Sequence, residues 1–341
     1  MKKEESKVIA QKLQKIPNGT LALKHCRAGG TGTTLFGEQF RAVTAGKEGV
    51  MEAYETFPGI EVSFNVFLAS EIKFQHDASD SVLEIYYCRS GRVGWNMQDG
   101  TAVYLGTGDV TAHSMACCAD SAMMFPLGYS EGISISVDLK QLSSICPEVL
   151  KNAGVEADQL RDRFCSGKPS AIPSCSDLEH IFAPLFSAPV SVRISLLKLK
   201  VLEILIYLSN MKSEHKELTQ YFSQQTELIK EIHQQLTEHL DQRFTIAELS
   251  KQYLINTSTL KEIFKAVYGQ PIATYMKEFR VRQAMKLLRE TNDTIADIAS
   301  QVGYQTQGKF SSAFQSIVKM SPREYRKIQG IAPSDSFSKT L

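Results

Sequence analysis

The sequence predicts an α+β chain of more than one domain. A cupin-like β-barrel or jelly roll is expected over residues 1–190, a helical linker over 191–224, an all-α domain with two helix-turn-helix units over 225–330, and a polar tail at 331–341. Three observations lead there. At 341 residues the chain exceeds what one hydrophobic core usually organises. Short strand-like runs separated by turns fill the region between Val62 and Val137. Finally, Thr245-Ile-Ala-Glu-Leu-Ser recurs 49 residues later as Thr294-Ile-Ala-Asp-Ile-Ala.

The totals narrow the class. With 43% hydrophobic and 22% charged residues the composition is that of a globular protein rather than a disordered one. No apolar run approaches the roughly 18 residues of a membrane span, and the charged start Met1-Lys-Lys-Glu-Glu lacks the apolar core of a secretory signal. Seven cysteines without a CxxC pair argue against a disulfide framework. A cytoplasmic protein with no membrane partner is expected. The net charge of +1 conceals an asymmetry: between residues 225 and 329, 15 Lys and Arg stand against 11 Asp and Glu. Such an excess suits a polyanionic partner but is weak by itself.

Residues 1–60 give little periodic signal, and the stretch from Gly29 to Thr34 lacks the Lys-Ser/Thr ending of a phosphate-binding loop. Strands are expected at Val62–Leu68, Val82–Arg89, Val93–Met97, Thr101–Leu105, Val110–His113 and Ile133–Val137. Asp99-Gly100 forms a tight hairpin turn between two of them. Their regular spacing is that of a sandwich or barrel. Val192–Leu208 then has helical period, with Leu196, Leu197, Leu199, Leu202, Leu205 and Ile206 forming an apolar stripe. That stripe is equally suited to packing on its own domain and to a helix–helix dimer seam.

The repeat is where chemistry becomes readable. In each copy a threonine stands three residues before an acid, the arrangement of an N-terminal helix cap. Each short helix is followed by a turn, through Leu254–Asn256 or Gly303-Tyr304, and by a second helix. Leu260, Ile263, Phe264 and Val267 form the apolar face in one, and Phe310, Ala313, Phe314 and Ile317 in the other. At about 100° per residue, Ser258, Lys261, Glu262 and Lys265 lie opposite the first face. Opposite the second lie Gly308, Ser311, Ser312 and Gln315, flanked by Gln307 and Lys309. A DNA recognition helix presents such side chains, near its N-terminus, to base edges in the major groove. Gln suits adenine, Lys suits guanine, and Glu suits the cytosine amino group. Pro271–Glu290 reads as one long helix that would hold the two units apart, as reading one face of DNA at a spacing of about 34 Å requires. Arg280, Arg282, Arg323 and Arg326 are available either for phosphates or for neighbours within the domain.

These residues resemble the AraC/XylS family of bacterial transcription regulators. The likeness rests on Thr245-Ile-Ala-Glu-Leu-Ser, Ser258–Phe264, Tyr268-Gly-Gln-Pro271, Arg280, Ala284, Leu287-Leu288, Ile295–Ala299, Gly303-Tyr304, Phe310–Phe314 and Pro322–Arg326. The resemblance implies a seven-helix DNA-binding domain on direct-repeat operator sites, an activator working through RNA polymerase, and a homodimer whose N-terminal barrel senses a small-molecule effector. Phe125–Ile135 is similar to a subgroup that includes siderophore-responsive regulators, from which no iron is inferred. Two positions depart from the pattern. Lys319 stands where the family usually has glycine, so that helix is expected to end differently. Gly308 offers no side chain to a base, so the second helix is expected to read less sequence than the first.

For the sensor, Glu84, Tyr86, Tyr87 and Trp95 are candidates for lining the ligand pocket, combining aromatic surface with a polar anchor. Core packing explains the aromatics equally well. Glu84, Tyr86 and Cys88 share one strand face. His76 and His113 are isolated, so no metal, cofactor or catalytic residue is expected and an enzyme ranks last. Cys117-Cys118 reads as two packed small side chains rather than a redox pair. A ligand-independent regulator with a purely structural barrel is the runner-up.

Overall fold

The computed structural model describes residues 21–25, 41–44, 48–75, 79–118, 121–165, 168–211 and 217–329. The segment Gly29–Thr34, His76 and the tail at 331–341 lie outside them. The chain divides into two compact units, residues 1–224 and 225–341.

In the first unit the strands are β1 (Leu21–His25), β2 (Arg41–Thr44), β3 (Glu48–Phe57), β4 (Ile60–Leu68), β5 (Glu71–Gln75), β6 (Val82–Gly91), β7 (Val93–Asn96), β8 (Thr101–Leu105), β9 (Val110–Ser114), β10 (Ala122–Met124), β11 (Ser130–Asp138), β12 (Ser170–Ile172) and β13 (Tyr221–Phe222). Among the described residues they form two sheets, ordered β1-β3-β4-β11-β6-β9-β12 and β13-β8-β7-β10-β5-β2. The two-sheet jelly-roll form of the expectation therefore holds, and the closed barrel does not. All six expected strands are present. The sequence left β3 unread because its Glu, Gly and Ala content weakens the strand pattern.

The seven-stranded sheet buries both faces. One carries Ile60, Val62, Leu83, Ile85, Tyr87, Val110, Ala112, Ile133, Ile135 and Val137. This face packs on α1 (Leu139–Ser144), α2 (Glu148–Asn152), α3 (Ala157–Phe164), α4 (Ser176–Ser187) and α5 (Arg193–Asn210). Residues Leu197, Val201, Ile204, Leu205 and Leu208 of α5 belong to that same core. The helix thus packs on its own domain, while Leu199, expected in the stripe, stands 63% exposed. The opposite face meets the second sheet through Phe67, Tyr86 and Cys88 against Val93, Trp95, Val103, Leu105 and Met123.

Seven helices build the second unit within the described residues: α6 (Ser223–Glu238), which crosses the unit boundary, α7 (Ile246–Gln252), α8 (Thr257–Tyr268), α9 (Ile272–Glu290), α10 (Ile295–Gln301), α11 (Gln307–Val318) and α12 (Pro322–Gln329). Around the second helix-turn-helix, Val281, Ala284 and Leu288 of α9 pack on Ile298, Ala299, Val302, Phe310, Phe314 and Tyr325. Around the first, His233 of α6 stacks on Tyr268, ring centroids 4.2 Å apart, within a group completed by Phe264, Tyr275 and Phe279. No helix among the described residues is long and apolar enough to cross a membrane.

Candidate nucleic-acid interface

Each helix-turn-helix begins with a closed capping box. Glu248 N donates to Thr245 Oγ1 at 3.2 Å while Thr245 N donates to Glu248 Oε2 at 2.7 Å. Asp297 N donates to Thr294 Oγ1 at 3.1 Å and Thr294 N returns to Asp297 Oδ2 at 3.2 Å. These bonds satisfy backbone donors that a helix start otherwise leaves open. The hydrogen bonds to Thr245 also hold the exposed Glu248 carboxyl below its ordinary pKa. Asn256 caps α8 through Ser258 N at 3.0 Å, and Thr306 caps α11 through Lys309 N at 3.3 Å.

The turns occupy equivalent positions. Leu254 takes φ +52 and Gly303, 49 residues on, φ +78. Leucine is strained in this left-handed region, and Leu254 is 94% exposed, so no packing offsets the cost. Leu254→Gly is expected to stabilise the domain by about 0.5–1 kcal/mol, read as a higher thermal midpoint by circular dichroism; an unchanged or lower midpoint would show that the turn is unstrained. Lys319 also adopts the left-handed conformation, φ +65, and its N–H reaches Gln315 O at 3.0 Å. Helix α11 therefore ends in the same kind of cap as α8 does at Gly269, contrary to the expectation of a different end. The Lys319 ammonium secures the cap by donating to Ser316 O at 2.8 Å.

Folding buries Leu260, Ile263, Phe264 and Val267 and turns Ser258, Lys261, Glu262 and Lys265 to solvent. In α11, Phe310 and Phe314 are buried, and Gln307, Gly308, Lys309, Ser312 and Gln315 are exposed, with Ser311 half-buried. Ile317 departs from the expected apolar face: it is exposed, and Val318 packs on the core instead. A Cβ added at Gly308 would meet nothing within 4 Å, so the helix there offers a bare backbone. Of the two residues able to cap α8, Asn256 does so and Thr257 stands exposed as the first helical residue.

The arginines separate into roles. Arg280 donates to Leu240 O (3.2 Å), Gln242 O (3.1 Å) and Gly303 O (3.2 Å), which makes it a clamp within the fold. Arg282 lies 3.8 Å from Glu278, and Arg326 Nε donates to Leu288 O at 3.4 Å. Arg323 is exposed and has no hydrogen bond or ion pair among the described residues.

In the first unit Glu84, Tyr86 and Trp95 come together on the inner face, with the Tyr86 and Trp95 rings edge to face at 5.1 Å. Tyr87 does not join them. It points to the helical side and stacks on Phe182 at 4.3 Å, as strand alternation dictates. Pairing registers add residues that sequence reasoning did not assemble. Glu61, Ser136, Glu84 and His113 lie side by side across four strands, and Ser63, Ser134, Tyr86 and Thr111 form the next row. Burial raises the Glu84 carboxyl to about 8, against a hydrogen bond from Ser136 that lowers it, with the Glu61 carboxylate pushing it further up. No group of three or more His, Cys, Asp or Glu placed to hold a metal occurs among the described residues.

A family model described as "Helix-turn-helix domain" matches residues 249–328. A putative AraC-like transcription regulator of Streptomyces lividans is 39% identical over 84 residues, covering 25% of this chain and 28% of its own. The HTH-type transcriptional activator RhaR of Mannheimia succiniciproducens is 34% identical over 91 residues, covering 27% and 33%. The match thus spans a third or less of these curated relatives' lengths. Among solved structures, the C-terminal domain of AraT, a response regulator from Geobacillus stearothermophilus, is 26% identical with a TM-score of 0.31, covering 33% of this chain and 93% of that one. With its sequence matches and its paired capped helices, the C-terminal domain of this chain is an AraC-type helix-turn-helix domain.

Proposed function

We propose that the protein is a sequence-specific DNA-binding transcriptional regulator rather than an enzyme, acting as a homodimer in the cytoplasm under the control of a small-molecule effector held between the two N-terminal sheets. One observation carries the DNA-binding reading: two equivalent capped helices each precede a helix whose N-terminal half presents short polar and basic side chains to solvent. The side chains proposed to meet DNA are Ser258, Lys261, Glu262 and Lys265 from α8, and Gln307, Lys309, Ser311, Ser312 and Gln315 from α11. With Gly308 bare and two serines beside it, α11 reads fewer bases and approaches the backbone more closely. Activation is part of the proposal, supported by the name of the RhaR relative, and RNA polymerase is the partner that the AraC/XylS resemblance implies. The effector reading is favoured over a purely structural sandwich by the buried polar rows, because unmatched polar groups inside a sandwich cost stability.

In vitro selection with the full-length protein should yield a preferred duplex. Lys261→Ala with Lys265→Ala is expected to weaken binding to it at least tenfold, each good base contact being worth about 1–3 kcal/mol. If one lysine meets a phosphate instead, the salt slope falls by about 1 for each phosphate that is no longer neutralised. Selection without enrichment, or a double variant that binds like the parent, would refute the reading.

A further inference from the structure

Helix α5 carries two apolar faces, and its own domain covers only one of them. Leu197, Val201, Ile204, Leu205 and Leu208 enter the core beneath it. At about 100° per residue the opposite side holds Val192, Ser195, Leu199, Leu202, Ile206 and Ser209. These positions advance by alternating steps of three and four, the a and d spacing of a heptad, and such a seam lies against a second helix. Val192 is 49% and Leu199 63% exposed, while Leu202 and Ile206 are half-buried at the edge of the core. Single exposed leucines are common on protein surfaces; a line of apolar residues at this period is not explained that way.

The charges beside the seam say which helix fits. Lys198 precedes Leu199 at a g position, and Glu203 follows Leu202 at an e position, so the two flank the seam on opposite sides, five residues apart. In a parallel pair the g residue of one helix meets the e residue five positions further along its partner. Lys198 of one copy would then face Glu203 of the other, and two-fold symmetry makes the contact twice. In an antiparallel pair g faces g and e faces e, which gives neither residue an opposite charge across the seam. Lys198 is exposed and has no ion pair among the described residues. Glu203 meets Lys200 of its own helix at 2.7 Å but stays half-exposed, and a carboxylate accepts from more than one donor.

We propose that α5 is the dimer contact, pairing in parallel with α5 of a second copy through Val192, Leu199, Leu202 and Ile206, with Lys198 and Glu203 bridged across the seam. The proposal rests on the homodimer reading above and names its surface. A seam this short would not hold two isolated helices together. Here each helix is already ordered by its own core, so association has no helix to form and loses less conformational freedom. The chain leaves α5 at Asn210 for the unit that begins at residue 225. Parallel pairing brings both exits to the same end of the seam, as two DNA-binding units on neighbouring sites of one duplex require.

Sedimentation equilibrium of the full-length protein measures the contact. A reversible dimer is expected, weakened at least tenfold by Leu199→Asp at an unchanged melting temperature, since Leu199 stands outside the core. Lys198→Glu and Glu203→Lys should each weaken it about fivefold, and the double variant should recover most of the parent affinity. Ser195→Cys should add a covalent dimer under copper–phenanthroline beyond any that the parent gives, because a parallel pair sets the two copies of that residue face to face. An antiparallel pair centred on Leu202 would hold them about 20 Å apart. A dimer indifferent to Leu199→Asp, a double variant no tighter than the single ones, or no added covalent dimer would overturn this contact and leave the homodimer reading standing. A monomeric parent would overturn both.

Discussion

Replacing Gly303 with alanine is expected to lower the stability of the helix-turn-helix domain by about 3 kcal/mol or more. Three effects act together. The residue sits at φ +78, where an L side chain costs about 1–2 kcal/mol. Its Cβ would clash with Leu240 O and come within 3.0 Å of the Arg280 guanidinium, and neither neighbour yields easily. Leu240 O is backbone. Burial that disfavours its charge already bears on the guanidinium, which is held by three carbonyls. Moving either partner breaks the clamp that ties the loop after α6 to the turn before α11. For a domain of this size the loss corresponds to a fall in the thermal midpoint on the order of 10–20 °C, measured by circular dichroism at 222 nm. Leu254→Gly, at the same position of the first turn, should move it upward. A Gly303→Ala midpoint within a few degrees of the parent would show that the turn is not locked in this way.

That contrast shows where sequence was sufficient. The capping boxes at Thr245 and Thr294 were legible because they are local: a threonine, an acid three residues later and an apolar face fix the geometry without reference to the rest of the chain. The sidedness of α8 followed from period alone. Ile317 and Leu199 did not follow, because which residue at the margin of an apolar stripe is covered depends on the partner element. Arg280 was undecidable, since its acceptors are backbone carbonyls, which leave no mark in sequence. In the N-terminal domain, alternation placed Glu84 with Tyr86, and by the same rule it put Tyr87 on the other side. It could not bring Glu61, Ser136 and His113 to Glu84, because strand register is set by distant pairing. The inner rows emerge only once β4, β11, β6 and β9 are laid side by side.

The two units should respond to pH in opposite senses. Enclosure among aromatic rings lowers His233 to about 4 from an ordinary 6.5. Its ring also shares a 2.8 Å hydrogen bond with Tyr275 Oη. Between those values the unfolded chain binds the proton and the folded domain does not, so stability is complete above about pH 6.5 and is lost as pH falls towards 4. The full difference is on the order of 3 kcal/mol. Glu84 behaves inversely: its folded value of about 8 exceeds the ordinary 4.5, so the folded state retains a proton that the unfolded chain releases. Stability of the first unit is therefore present below about 4.5 and declines, by a similar order, as pH rises through 8. One chain reports both, because Trp95 lies in the first unit and the all-helical second unit has no tryptophan. Between pH 6.5 and 5.5, above the range where most ordinary exposed carboxyls titrate, the helical transition followed by circular dichroism should fall in temperature and His233→Gln should flatten it. Between pH 5 and 8 the Trp95 transition should fall in the other direction and Glu84→Gln should flatten that. Parallel shifts of the two transitions, or slopes that survive both substitutions, would place the titrating groups elsewhere.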